Sequence, residues 1–522
     1  MKSQPVILIG FYQIQSMAIR TLDAVLRRAD IPVHSIFFKE MGPNCILEPP
    51  EAADIEALVK LVKELDPLFV GLNVFSVHAQ LAAQISDRIR RETGTLIVWG
   101  GPHPTVSPES CLTHADAVCI GEGEDALIEL AVALREERPF QHVRNLWFKH
   151  GAEVVRNQLR PLISDLDTIP FPTLADDQMH YIDHGRAQSP PPPGQTYAYP
   201  IMSSRGCPFR CTFCLHQPLR ELYKGLGPYL RRHSAGYVIE ELRRGRGRYP
   251  NLVDVHFWDD IFTLDERWLR EFTEIYRAEI GVPFICYCHP LVAQRPALEM
   301  LKRAGVKVMT MGVQTGSARI RKEFYHRRES NEDVIAAASA LRRHGIEYCI
   351  DLILDNPLET FEDHQVTLEL LLRLPRPFLL SCESLAYYPG YALTRTLLER
   401  GAIGRDDIED VRLMNLHRSS FVLDLRRTDE ALFWECIYYM ASKRSFPESI
   451  IRRLSRSRPA QRHPRALARA LRLTTDYVQT ADNRSGLSRL RIIVVGRLLR
   501  MYHGLQNLMR RVRSGRGSVF SR

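Results

Sequence analysis

From residue 5 to about 137, short apolar runs rich in β-branched residues alternate with helical patterns, and that alternation constrains the fold more than any other feature of the chain. Val6–Phe11, Val33–Phe38, Leu68–Phe75, Leu96–Trp99 and Ala117–Ile120 read as strands, separated by helices near 17–29, 51–65, 77–93 and 124–137. Such a βαβα series predicts an α/β fold, a doubly wound (Rossmann-like) parallel sheet whose ligand sits at the loops after the carboxyl ends of the strands. Two of those loops are built from small residues, Gly100-Gly101-Pro102-His103-Pro104-Thr105 and Gly121-Glu122-Gly123-Glu124. Glycines there let a ligand approach the backbone closely.

Residues 151–199 interrupt the rhythm with Ile169-Pro170-Phe171-Pro172 and the run Pro190 to Pro193, and read as a linker with some ordered anchoring. A second series follows, with strands near 200–204, 252–258, 283–288, 306–313, 347–354 and 379–387. Six such units predict a partial (β/α)6 TIM-type barrel with its chemistry at the strand carboxyl ends. Residues 388–450 read as a smaller domain helping to close the barrel, in which Tyr438 and Tyr439 are candidates to line a pocket, although aromatics at helical spacing are more often core.

The net charge of +9 is unevenly spread: residues 451–522 carry 18 Arg, no Lys and only Asp476 and Asp482, so the tail is +16 and the preceding 450 residues are −7. Within the tail, residues 487–513 interleave Arg with apolar side chains and are expected to form a basic helix able to lie on an anionic membrane. A helix packed on the barrel and a solvated nucleic-acid-binding tail are the alternatives. Nucleic acid is the least favoured, because Tyr477, Tyr502 and Phe520 are the only aromatics after residue 451. No apolar run approaches the ~18 residues needed to cross a bilayer, and Val6–Phe11 is too short for a signal peptide. The expected location is the cytoplasm, at most peripheral to the inner face of the membrane.

Eleven cysteines in a chain read as cytosolic point to metal binding rather than disulfides. Three of them fall in Ser204-Arg205-Gly206-Cys207-Pro208-Phe209-Arg210-Cys211-Thr212-Phe213-Cys214, directly after the first strand of the second series. Thiols spaced CxxxCxxC can converge on one metal centre. A zinc site completed by His216 is one reading; a four-iron cluster with one iron left open is the other. A loop at a barrel mouth is a catalytic address, which favours the cluster.

These motifs, in order with Asp165-Leu166-Asp167-Thr168-Ile169-Pro170-Phe171-Pro172, Phe257-Trp258-Asp259-Asp260, Gly312-Val313-Gln314-Thr315-Gly316 and Asp355-Asn356-Pro357-Leu358-Glu359-Thr360, make the chain resemble the radical S-adenosylmethionine (radical SAM) superfamily. The resemblance covers about 400 residues and is closer to the subgroup with an N-terminal cobalamin-binding domain. It implies a cobalamin-binding-like domain at 1–150, the linker at 151–199, a radical SAM partial barrel at 200–387, a C-terminal capping domain at 388–450 and the basic tail at 451–522. By the same resemblance Cys207, Cys211 and Cys214 would hold a [4Fe-4S] cluster whose open iron takes the methionyl amine and carboxylate of S-adenosylmethionine. Phe213 would lie against the adenine, and Asp259 and Asp260 would accept hydrogen bonds from the methionyl ammonium. A helix N-cap is the plain alternative for that acidic pair. Gln314, where the family commonly has Glu, would reach the ribose or carboxylate as an uncharged amide.

Gly100, Gly101, Thr105, Gly121, Glu122 and Gly123 would hold the nucleotide tail of cobalamin, with His103 packed nearby. The stretch Phe11-Tyr12-Gln13-Ile14-Gln15-Ser16 has neither the His nor the Gly of the Asp-x-His-x-x-Gly motif, so the resemblance implies cobalamin with no protein histidine on cobalt. A Rossmann-like domain that binds no corrinoid is the alternative. The implied chemistry is reductive cleavage of S-adenosylmethionine to a 5′-deoxyadenosyl radical by one electron from a donor such as flavodoxin or ferredoxin. Methyl transfer from methylcobalamin to an unactivated carbon of a small-molecule or lipid-like substrate would follow. An oxidative cyclase, ring-contraction or rearrangement enzyme and a non-catalytic corrinoid sensor are the competing readings. The sequence assigns no catalytic residue beyond the cofactor ligands.

Overall fold

The computed structural model describes residues 4–13, 16–40, 48–151, 153–189, 198–293, 295–409 and 427–474. β1 (Val6–Phe11), β2 (Val33–Phe38), β3 (Phe69–Asn73), β4 (Leu96–Gly100) and β5 (Ala117–Cys119) pair in parallel, in the order β5-β4-β3-β1-β2. Helices cover both faces, and every residue of β1 is buried, which is why these strands read as unbroken apolar runs. The strand order reverses between β1 and β3, and a crevice opens at such a switch point beyond the carboxyl ends.

The sheet then grows on both sides. β6 (Leu146–His150) and β7 (Glu153–Arg156) form a hairpin antiparallel to β5. β8 (Met179–Asp183) runs parallel to β2, and β9 (Arg186–Gln188) turns back along β8, completing nine strands. The stretch read as a linker therefore supplies β7, β8 and β9. The physical reason is edge protection: without β8, which buries Met179 and Ile182, strand β2 would present an open apolar edge.

β10 (Ala198–Ile201) starts the second sheet and is followed by β11 (Ser204–Arg205) and β12 (Arg231–Arg232), a short antiparallel pair. β13 (Asp254–Phe257), β14 (Phe284–Cys288), β15 (Val306–Gln314), β16 (Glu347–Leu354) and β17 (Leu379–Ser384) then continue the parallel order from β10 to β17. Alternate residues such as Val255, Phe257, Phe284, Cys286, Met309 and Met311 pack outward under the helices in one core. Capping boxes at Ser330 and Thr360 start the helices Asn331–Arg343 and Phe361–Arg373.

The helix Asp429–Ser442 is buried from Ala431 to its end. Trp434 stacks on His364 at 5.0 Å, and Tyr438 Oη lies 3.0 Å from His364 Nδ1, so Tyr438 is a core residue. The helices Glu448–Ser455 and Pro464–Thr474 add Ile451, Ala468 and Leu471 to the same core. The first part of the basic segment thus packs on the barrel, while residues 475–522, including the expected helix at 487–513, lie outside the described residues. Among the described residues no helix is long and apolar enough to cross a membrane.

Candidate active site

After β4, Gly101 precedes the short helix Pro102–Val106, which has Pro at its first position. Thr105 Oγ1 donates to Gly101 O (2.8 Å) and accepts from Gly121 N–H (3.1 Å), tying the two glycine loops together. Gly121 has φ +75°, and a Cβ there would fall 1.8 Å from Tyr223 Oη. That hydroxyl, at the end of the helix His216–Leu222, accepts the Glu122 N–H at 2.8 Å. The loop is thus shaped to receive a residue from the other half of the chain.

Glu122 itself joins the two halves. Its carboxylate accepts from Arg205 Nη1 (3.0 Å), from Arg231 Nη1 (3.1 Å) and from Ile163 N–H (3.2 Å), and lies 2.9 Å from Arg231 Nη2. Glu124 accepts from Arg205 Nη2 at 2.7 Å. Burial pushes the Glu122 carboxyl up, but the bonds and charges of Arg231 and Arg205 outweigh it and hold the pKa below the usual range. Arg205 is raised above its ordinary value by Glu124 and Glu122 despite burial.

A cavity of about 490 Å³ lies between the halves. Gly100, Gly101, Thr105, Gly121, Glu122 and Gly123 line it from the first sheet, and Arg205, Gly206, His216 and Asp260 from the barrel. Leu8, Ile19, Leu22, Val98 and Leu127 give it an apolar wall. An apolar slot at a sheet switch point, edged by backbone that carries no side chains, fits the nucleotide tail of a corrinoid.

The cysteine loop follows β11. Gly206 needs its φ of +95°, since a Cβ would stand 2.2 Å from Tyr229 O. Cys214 N–H donates to Cys211 O (3.1 Å), Thr212 N–H donates to Tyr325 O (3.3 Å), and Arg220 donates to Cys207 O. Burial pushes the Cys207 and Cys214 thiols up to about 12. Cys211 is raised by burial too, against the pull of Arg327, whose Nη1 lies 3.8 Å from Sγ. Metal binding would replace these protons. His216 is not placed to complete a zinc site: Nδ1 meets Tyr229 Oη at 2.6 Å and Nε2 meets Asp260 Oδ2 at 2.7 Å. Among the described residues no three His, Cys, Asp or Glu side chains converge on a single ion. Three thiols without a fourth protein ligand suit an iron–sulfur cluster with an open iron.

Asp259 is fully buried and spends its carboxylate on the protein, accepting from Ser203 N–H (3.0 Å), Ser203 Oγ (2.7 Å) and Ser204 Oγ. It fastens β10 to the cysteine loop. Asp260, its neighbour, faces the cavity beside His216. Neither caps a helix, since the helix Glu266–Glu279 is capped by Asp265. Phe213 packs edge-on against Tyr325 at 4.9 Å, and Gln314, at φ +70°, ends β15 after a bulge; both lie outside the cavity lining. His103 lies in the glycine-loop helix with Nδ1 2.9 Å from Ser76 Oγ. Sequence reasoning missed Arg205, Tyr223, Arg231 and Arg327. Only Arg205 carried a signal, its place beside the cysteine motif.

Inside the barrel, the residues alternating with the core side chains include His256, Tyr287, Asp351 and Glu383. Burial, and then the Glu383 charge, push Asp351 up to about 7. Trp258, 47% exposed at the end of β13, lies 5.8 Å from the Tyr287 ring.

Residues 11–131 match the B12 binding domain family and residues 201–371 match the Radical SAM superfamily. Over 324 residues the chain is 28% identical to "Uncharacterized methyltransferase PH0819" of Pyrococcus horikoshii, covering 61% of this chain and 66% of the relative. It is also 28% identical over 299 residues to "Cytidylyl-2-hydroxyethylphosphonate methyltransferase" of Streptomyces wedmorensis, covering 51% of this chain and 54% of that protein. The matched part thus spans just under two thirds of the first relative and about half of the second. In fold it is similar to the radical S-adenosylmethionine methyltransferase TsrM of Kitasatospora setae, solved with cobalamin and a [4Fe-4S] cluster. That likeness has a TM-score of 0.62 at 15% identity, over 90% of this chain and 99% of that one.

Proposed function

The chain belongs to the radical SAM enzymes that carry a B12-binding domain, and from that premise we propose that it C-methylates an unactivated carbon of a small-molecule or lipid-like substrate. The observation that carries the reading is the single cavity shared by the glycine loops and by residues beside the cysteine loop. When bound, the cluster with S-adenosylmethionine supplies a hydrogen-abstracting radical and the corrinoid supplies a methyl group. Cys207, Cys211 and Cys214 hold the cluster. Gly100, Gly101, Gly121 and Gly123 let the corrinoid tail reach the backbone, while Thr105 keeps their two loops in register. Asp260, oriented by His216, would accept from S-adenosylmethionine on the barrel side. Glu122 and Glu124 hold the halves together and keep water from the space between them. The barrel interior around Tyr287 and Asp351 receives the substrate.

A low-potential electron donor such as flavodoxin or ferredoxin completes the system. The basic tail gives peripheral contact with an anionic membrane, tested by co-sedimentation with anionic and neutral liposomes against a chain ending at Thr474. The decisive experiment gives the anaerobically reconstituted enzyme methyl-deuterated S-adenosylmethionine, dithionite and a metabolite extract of a deletion strain. The expected result is one metabolite that gains a labelled methyl group. An oxidised, unlabelled product would replace this reading with the cyclase or rearrangement reading.

A further inference from the structure

Behind the cysteine loop lies a buried group of charges that the proposed reaction has not used. The π-helical turn Ile320–Phe324 carries the chain under the loop, and His326, at φ +52°, turns Arg327 back towards it. Arg327 presents Nη1 to Cys211 Sγ at 3.8 Å, donates Nη2 to Gly312 O at 2.6 Å and gives Nε to Glu329. Arg321, as deeply buried, has Nε 4.0 Å from the same carboxylate and donates Nη1 to Glu329 O at 3.0 Å.

His289 closes the group on the other side. Its Nδ1 accepts Leu291 N–H at 3.2 Å, so in the neutral ring the proton is on Nε2, which faces Glu329 Oε2 at 3.5 Å. Burial, and then the two arginines, push its pKa down to about 3, so the ring carries no charge. Phe209, from the cysteine motif, stacks on that ring at 3.8 Å. Glu332 and Asp333, which also face Arg321, stand at the solvent-facing start of their helix and are screened by water. Two buried guanidiniums thus meet one buried carboxylate, and the surplus positive charge points at one of the three thiols.

We infer that Arg327, held by Glu329 and backed by Arg321, is a positioning residue that raises the reduction potential of the cluster bound at Cys207, Cys211 and Cys214. The inference rests on those three cysteines holding the cluster. With three thiolates the oxidised cluster and its ligands carry one negative charge, and the reduced form carries two. One electron from a low-potential donor enters, no bond in the protein breaks and no proton is taken up. A fixed cation beside one ligand sulfur therefore favours the reduced form, more strongly in a buried setting than in water.

The test is an anaerobic redox titration of the purified, reconstituted protein, followed by electron paramagnetic resonance without S-adenosylmethionine. Arg327→Gln is expected to reduce the reduced-to-oxidised ratio at fixed poise at least tenfold, equivalent to a fall of about 59 mV for one electron. Arg327→Lys, which keeps the charge, recovers most of it. Glu329→Gln moves the potential the opposite way, because it removes the neutralising carboxylate. An unchanged potential in an Arg327→Gln protein that retains its cluster overturns the inference. So do shifts of the same sign in the Arg327→Gln and Glu329→Gln proteins, or loss of the cluster from both, which would mark the group as merely structural. Iron and sulfide analysis of the unsubstituted protein separates the two claims: without a cluster there, the cysteine assignment itself fails.

Discussion

Replacing Glu122 with Gln keeps the shape of a side chain that joins the two halves and removes its charge. Both carboxylate oxygens are occupied, by Arg205 Nη1 at 3.0 Å, by Arg231 Nη1 at 3.1 Å and Nη2 at 2.9 Å, and by Ile163 N–H at 3.2 Å. Arg231 has a side chain only 4% exposed, so the change leaves a buried guanidinium facing an uncharged amide, with Ile163 O as a further acceptor. Removing one member of a buried pair costs about 3–5 kcal/mol. The Glu122 side chain is 18% exposed, and water reaching it brings the expected cost to about 2–3 kcal/mol. Urea unfolding of Glu122→Gln, Arg231→Met and the double variant measures this, with a coupling energy above about 1.5 kcal/mol expected for the pair. The pH dependence gives an independent sign. Glu122 has a depressed pKa in the folded protein, so its stabilisation is present above the unfolded carboxyl value and is lost as pH falls through the folded one. The difference between wild type and Glu122→Gln therefore shrinks on acidification below about pH 4. A cost below about 0.5 kcal/mol, or a gap that does not shrink, would refute the reasoning.

Asp259→Asn is expected to cost about 2–4 kcal/mol and lower cluster yield, because an amide cannot accept all three bonds at Ser203 and Ser204. Asp260→Asn, by contrast, leaves the unfolding midpoint nearly unchanged and weakens S-adenosylmethionine binding in equilibrium dialysis; equal unfolding of both variants would remove the distinction. Gly121→Ala, forced by its positive φ and by Tyr223 Oη 1.8 Å from the new Cβ, should weaken cobalamin binding at least tenfold, about 1.4 kcal/mol, in an absorbance titration; unchanged affinity would take the loop out of the corrinoid site. Glu241 has its pKa raised to about 7 by burial, against Arg20 and Tyr199. Its neutral form is therefore favoured in the folded state, and stability falls, by at most about 3 kcal/mol, as pH rises from the unfolded carboxyl value through 7. Glu241→Gln should flatten that slope in thermal melts at pH 5 and pH 7.5, and a slope retained in full would place its origin elsewhere.

The central strands of the first sheet were legible because burial on two faces leaves an unbroken apolar run, and those of the second because core residues recur at every other position along each strand. β8 was not: Met179-His180-Tyr181-Ile182-Asp183 mixes polar and apolar residues, and what makes it a strand is the open side of β2, far away in sequence. The glycine loops and the cysteine motif were legible as short contiguous patterns with few conformations open to them. Asp259 and Asp260 show the opposite limit. Adjacent side chains of extended chain point to opposite sides, and sequence does not say which side is the cavity. Arg327 lies over a hundred residues from Cys211, on a turn shaped by a π-helix, and no local pattern marks it.

The pairing of β8 with β2 also bears on how freely such an enzyme can be recombined. A corrinoid cassette excised at residue 150, where the βα rhythm stops, would leave behind Met179 and Ile182 and carry off β2 with an unsatisfied rim beside Ser35, Ile36, Phe37 and Phe38. Grafts meant to move the corrinoid specificity of this chain onto another barrel should therefore be spliced after Gln188, the last residue of β9. Ancestral shuffling of the two halves would have met the same constraint, since the portable unit includes the chain that leads out of it.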